Sequence, residues 1–281
     1  MIRLLLIMSY IVSCIRLCVA PWKYFQLNSP YFNEQRDIFS KLDMDQRIPD
    51  QWRLHQFLDV ADTCPPQYPV FVKPEWGQNS SGVTRADNIQ DLRQIRLNRE
   101  STKLNYLIQE AAPGKREFEI FIIPSNKSNA IPAVVSVTET INNDCEDYPI
   151  NGIYNEYTSY KDISNELSHE QILTLWHHLK QVGTFRISRY GIRANSIEAL
   201  LTGEFHIIEI NLFLPMPLVL LCNNKSWKTK IQLCIRYMWH LAKITKSIPL
   251  NQPHKSVFFK KMKHSKSLKL VNNMRSNNEH A

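Results

Sequence analysis

The chain has 281 residues, 43% apolar and 21% charged, which excludes wholesale disorder and suits one large domain or two small ones. A formal net charge of +8 favours anionic partners (nucleotides, nucleic acid or a membrane surface) without choosing among them. The six cysteines form no CxxC pair and no metal-finger spacing with histidine, so they read as buried or idle thiols of a reducing, cytoplasmic compartment.

The first element is "MIRLLLIMSYIVSCIRLCVAPWKY", an apolar run over 4–15 between Arg3 and Arg16. It is shorter than the roughly 20 residues that span a bilayer. It predicts an amphipathic or buried N-terminal helix. A secretory signal with a "CVA" cleavage site is the alternative, opposed by Arg16 and Pro21. Residues 21–66 are polar and aromatic with scattered prolines, and "SKLDMDQRIPDQWRLHQFLDVADTCPPQYP" (40–69) predicts helix, turn, helix, then a proline-rich approach to a strand. Pro65, Pro66 and Pro69 forbid a helix running into Val70.

"VFVKP" (70–74) is a strand by its β-branched and aromatic content, and "SGVTRA" (81–86) the strand after a loop. "NIQDLRQIRLNRE" (88–100) predicts a helix capped by Asn88. "NYLIQEAAPG" (105–114) is a strand leading into a turn. In "REFEIFIIP" (116–124) Phe118, Ile120 and Ile122 face one way, and Glu117, Glu119 and Phe121 the other. "SNKSN" reads as a hairpin turn before the strand "IPAVVSVTET" (131–140). "SHEQILTLWHHLKQVGTF" (168–185) is a helix capped by Ser168, with Gln171 in its first turn. "GEFHIIEINLFLP" (203–215) is a turn and a strand, and the chain from Trp227 on is helical and lysine-rich. Two β-rich lobes with flanking helices, joined near 109–114, make an α+β fold in which a nucleotide fits between two sheets.

The loop "GQNSSG" (77–82) separates two strands, with Lys73 on the strand before it. A P-loop would continue into Lys-Ser/Thr and a helix, and a dinucleotide fingerprint needs GxGxxG; neither is present. What remains is strand, lysine, loop, strand. Backbone amides and serine hydroxyls can wrap phosphate oxygens, and the lysine can add a point charge. An ordinary surface turn rich in Gly, Asn and Ser is the alternative. Two residues apart on one strand, Glu209 and Asn211 share a face and offer oxygens suited to Mg²⁺. Lys161 lies among tyrosines in "YNEYTSYKDIS". His177 and His178 are helix neighbours and cannot ligate as HxxxH pairs do, and His206 reads as structural.

In this order the motifs resemble the ATP-grasp superfamily, in its D-alanine–D-alanine ligase-like branch of carboxylate–amine ligases. The resemblance covers roughly 66–222, with lobe 1 over 66–110 and lobe 2 over 115–222. It leaves 1–65 as a short N-terminal helical segment and 223–281 as a basic helical region. It implies ATP and Mg²⁺ as cofactors, with small-molecule carboxylate and amine substrates joined through an acyl phosphate. Lys73 then contacts phosphates under a lid of Gly77, Ser80, Ser81 and Gly82. Gln109 and the backbone of Glu110 and Ala111 meet the base, and Glu117 the ribose. Lys161 and Arg189 serve the transferred phosphate, Glu209 and Asn211 hold Mg²⁺, and Lys41 is a candidate upstream lysine.

The chain departs from the family where "RYGIR" carries Gly191 in place of a metal-binding aspartate, and a non-catalytic nucleotide-binding relative is therefore the alternative. "LFLPMP", after Asn211, replaces a glycine-bearing segment and bears on the acceptor site. No nucleic-acid partner is expected. The basic stretch 254–270 mixes lysines with apolar residues and could contact an anionic membrane surface.

Overall fold

The computed structural model describes residues 1–60, 63–77, 79–99, 104–126, 130–144, 146–250, 252 and 257. Among them, two antiparallel sheets face each other. The first holds β1 (Gln56–Leu58), β2 (Val70–Pro74), β3 (Thr84–Ala86) and β4 (Tyr106–Glu110), in the order β1-β4-β2-β3. The second holds β5 (Arg116–Ile123), β6 (Val134–Asn142), β7 (Thr158–Asp162), β8 (Ser188–Ala194) and β9 (Phe205–Asn211), in the order β7-β6-β5-β8-β9.

Strand alternation decides what each sheet buries. Val70, Val72, Tyr106 and Ile108 turn to one side of the first sheet, where Leu92 and Ile95 of α3 (Ile89–Leu97) cover them. Asn88 caps that helix, its Oδ1 accepting from the Asp91 amide at 3.0 Å. Phe71, Lys73 and Gln109 are left on the side that faces the second sheet.

In the second sheet Phe118, Ile120 and Ile122 pack with Leu175 and Leu179 of α4 (His169–Leu179) and Leu200 of α5 (Ile197–Thr202). Each such burial contributes about 1.5–3 kcal/mol. Ser168 and Gln171 close a reciprocal capping box on α4. On the other face of β5, Phe121 and Ile123 meet Tyr10 and Cys14 of α1 (Ile2–Arg16) and Tyr237 and Leu241 of α6 (Trp227–Lys246). Glu117 and Glu119, on that same face, lie beyond the reach of these helices and look toward the first sheet.

Several expectations change. The first sheet begins at Gln56, ahead of the boundary at 66, because β1 pairs with β4 (Phe57 opposite Ile108). The expected pair of helices over 40–69 is not found among the described residues of the stretch 21–66. Proline and aromatic residues break it into 3₁₀ turns, with one short helix, α2 (Lys41–Asp45), capped by Ser40. The N-terminal run is a helix, as expected. No single helix among the described residues is long and apolar enough to cross a membrane; Ile2–Arg16 and 21–31 pass only as a pair bent by 106°. The five described cysteines are free. The expected membrane-facing stretch 254–270 lies outside the described residues except Val257, as do 127–129 of the predicted hairpin turn.

Candidate functional site

The two sheets enclose a cavity of about 120 Å³. Lys73 enters it from β2, buried, with Nζ donating to Gln109 Oε1 at 2.8 Å and to the Ile208 carbonyl at 3.3 Å. Gln109 Nε2 donates to the same carbonyl at 3.1 Å. That carbonyl belongs to an irregularity: Gly191 pairs with Glu209 but Ile192 with Ile207, so Ile208 is an extra residue in β9. A bulge leaves a backbone group outside its ladder, and here the carbonyl points across to the first sheet.

Burial drives Lys73 down to about 7, helped by the neighbouring charge of Lys41 and opposed by Glu209. Lys41, at the start of α2, reaches the same cavity and donates to the Pro74 carbonyl at 2.9 Å. Burial lowers it too.

From the second sheet come Glu117, Glu119, Arg189, Arg193 and Glu209. Arg189 Nε lies 2.8 Å from Glu119 Oε2, and its terminal nitrogen 3.7 Å from Glu209 Oε1. Burial raises Glu117 to about 7, against an Asn151 hydrogen bond. Burial also raises Glu119 to about 8, against Arg189 and with Glu209 adding repulsion. Glu209 behaves oppositely. Burial pushes it up, but Arg189, Lys41 and the Asn211 amide outweigh that and hold it below the ordinary carboxylate range.

Of the residues singled out in the sequence, the cavity gathers Lys41, Lys73, Gly77, Ser80, Ser81, Gln109, Glu110, Glu117, Arg189 and Glu209. Gly82 does not line it. It forms the turn at φ 76°, folded back on Pro74. Ala111 lies outside, and its amide donates to the Pro69 carbonyl; the Glu110 amide donates to His55, so neither amide remains for a base. The Glu110 carboxylate accepts from the His55 amide at 2.7 Å.

Lys161 is a correction. It is half-exposed on the outer face of β7, paired with Glu166 at 2.9 Å, because strand parity gives the inner position to its neighbour Tyr160. Asn211 shares its face with Glu209 and donates to Glu209 Oε1 at 2.6 Å, but it does not itself line this cavity. Sequence reasoning left without a role Glu119, Arg193, Asn151 and Tyr160. Alternation carried the signal for two of them: Glu119 follows Glu117 by two residues, and Arg193 follows Gly191 by two.

The donors suit a nucleotide and a hard cation. Among the described residues no three carboxylate, imidazole or thiolate side chains form a ready cage. Mg²⁺ needs none, since it binds through one or two carboxylates and completes its shell with phosphates and water. Glu209, Asn211 and Glu119 are the oxygen donors at hand. A Cβ placed on Gly191 would stand 3.2 Å from Glu209 Cγ, a tight contact, and 3.4 Å from Glu119 Oε1, so a side chain at 191 would crowd both carboxylates' side of the cavity.

No protein-family model matches the chain, nor does any curated protein. Among solved structures it is similar to D-alanine–D-alanine ligase from Bacillus anthracis complexed with ATP, at 12% identity and TM-score 0.44, over 74% of this chain and 64% of that one. It is similar to L-amino acid ligase from Bacillus licheniformis at 16% and 0.45, over 71% and 47%. A third likeness is to VanG D-Ala:D-Ser ligase from Enterococcus faecalis, at 14% and 0.48, over 73% and 61%. The chain spans less than two thirds of the length of each, and likenesses of this degree carry no argument of their own.

Proposed function

We propose that the chain is an ATP-grasp protein that binds ATP with Mg²⁺ between its two sheets and joins a carboxylate to an amine through an acyl phosphate. One observation carries this reading: Lys41, Lys73, Arg189 and Arg193 converge on the cavity that holds Glu209. Four cations beside hard oxygen donors match a polyphosphate and its metal.

Phosphoryl transfer asks a protein for positioning and for charge opposite the developing phosphoryl oxygens. Lys73 meets the phosphates, whose charge restores the proton that burial weakens. Arg189, held in place by Glu119, faces the transferred group. Glu209, Asn211 and Glu119 would hold Mg²⁺, which supplies neutralisation of phosphate charge when bound. The 77–82 loop covers the site, and its closure excludes water that would hydrolyse an acyl phosphate. The cavity is smaller than the roughly 300–1,000 Å³ of ordinary ligand sites, so a nucleotide enters only when that loop lifts.

The test is thermal stability with ATP and Mg²⁺, because a ligand that binds only the native state must raise it. Wild type is expected to shift. Lys73→Ala is expected to lose about 10- to 100-fold in ATP affinity, the worth of one charge-assisted hydrogen bond of about 1.5–3 kcal/mol. No shift with ATP in folded wild type overturns the reading. Gly191 favours a second one, nucleotide binding without turnover. An ATP shift without ADP release across a broad panel of acids and amines would select it.

A further inference from the structure

A second cavity, of about 490 Å³, adjoins the first. The two share Asn79 and Arg189 in their walls. Its size is that of a small-molecule site. Its walls are apolar and aromatic, formed by α1, the turn Pro21–Gln26, α6 and the whole of the "FLPMP" stretch at 213–217. Among the described residues no acidic one lines it, and the two charged ones are both arginines. Arg189, partly buried and paired with Glu119, stands at the end shared with the nucleotide cavity, while Arg3 is exposed, as are Ile7, Trp22 and Leu214. The cavity therefore runs from the Arg189 guanidinium, which Glu119 holds and which also donates to the Met216 carbonyl at 3.3 Å, along hydrocarbon and rings, to a solvent-facing mouth.

The backbone supports a function here independently. Leu214 holds φ 51°, a left-handed conformation unusual for a bulky residue. Such outliers persist where surrounding structure enforces them, and they cluster at ligand sites. In this turn Leu214 lies between Phe213 and Pro215, and all three line the cavity.

We propose that this cavity binds an apolar monocarboxylate, its hydrocarbon or aryl body lying along Phe25, Phe213 and Met216 and its carboxylate at Arg189, next to the nucleotide phosphates. That this acid is the group activated rests on the function proposed above; that it binds does not.

Calorimetric titration without nucleotide tests the binding. The probes are decanoate below its micellar concentration and 4-phenylbutyrate, compared with butyrate, alanine and decanol. Decanoate is expected to bind at least tenfold tighter than butyrate, alanine or decanol. Met216→Trp, which fills the cavity, and Ile7→Glu, which places an acid at its exposed mouth, are each expected to weaken decanoate at least tenfold while the ATP-induced rise in melting temperature persists. Ile7 is surface-exposed, so that variant remains informative if Met216→Trp fails to fold. Decanoate no tighter than butyrate or decanol, or unaffected by Ile7→Glu, overturns the proposal. Decanoate binding with no ATP shift leaves this site standing and removes the ligase reading. An ATP shift without decanoate binding does the reverse.

Discussion

At position 191 a hydrogen stands where the resembled family carries a carboxylate, and Glu119 of the neighbouring strand lies directly opposite it. The Cβ of an aspartate there would press on Glu209 and on Glu119, two carboxylates already crowded together. Gly191→Asp is therefore expected to destabilise the protein by about 1–3 kcal/mol through overpacking, rather than restore a metal ligand. Urea denaturation reads this, and an unchanged midpoint would refute it. Lys73 makes a pH prediction. Folded, it titrates near 7, against an ordinary value of 10.5. Between those values the unfolded chain holds a proton that the folded chain has lost, so stability rises with pH. The slope from this one group is at most about 1.4 kcal/mol per pH unit. Lys73→Met should remove that rise between pH 7 and 10, measured against wild type in the same buffers.

Strand parity governs what the elements deliver. The alternation of "REFEIFII" could be read directly, and it sent Glu117 and Glu119 to the cavity and Phe118 and Ile120 to the core. In "TSYKD" the same period was legible but its phase was not, since phase comes from pairing: Tyr160 opposes Thr140 and Lys161 opposes Glu139. Lys161→Ala is accordingly expected to leave the ATP-induced shift in melting temperature unchanged, because its ion pair with Glu166 is exposed and outside the cavity. A lost ATP shift would return Lys161 to the site. β9 is harder still. Phe205 and Ile207 lie in the core, and plain alternation would send Glu209 after them. The bulge at Ile208 reverses the parity and turns Glu209 into the cavity. Nothing local in "FHIIEIN" announces a bulge, which arises from register against β8. β1 and β8 escaped the sequence reading for the same reason. Three residues in β1, and a strand with glycine at its centre in β8, have weak propensity, and remote partners make them strands.

Across the whole molecule, Ser80 of the loop after β2 ties the first lobe to the second. Ser80 Oγ donates to the Asn151 carbonyl of the second lobe, and a Cβ on Gly152 would come within 3.3 Å of that hydroxyl. This hydrogen bond, of about 0.5–1.5 kcal/mol, helps hold the loop against the second lobe, beside the Arg85 bond to the Tyr148 carbonyl at 3.2 Å. Ser80→Ala should speed association of a fluorescent ATP analogue by about two- to tenfold in stopped flow; an unchanged rate would mean that the loop does not limit entry. Helices α1 and α6 meet on the far side, where the hydroxyls of Tyr10 and Thr245 hydrogen-bond at 2.9 Å, and Tyr10, Met238 and Leu241 of these helices line the second cavity. The wall between the two cavities has a thermodynamic consequence. Asn79 and Arg189 cannot answer one occupant without changing what the other meets. The affinities are then linked in a closed cycle: by whatever factor ATP alters the dissociation constant of the acid, the acid alters that of ATP by the same factor. Order of arrival therefore cannot change the energy of the ternary complex, only the route to it.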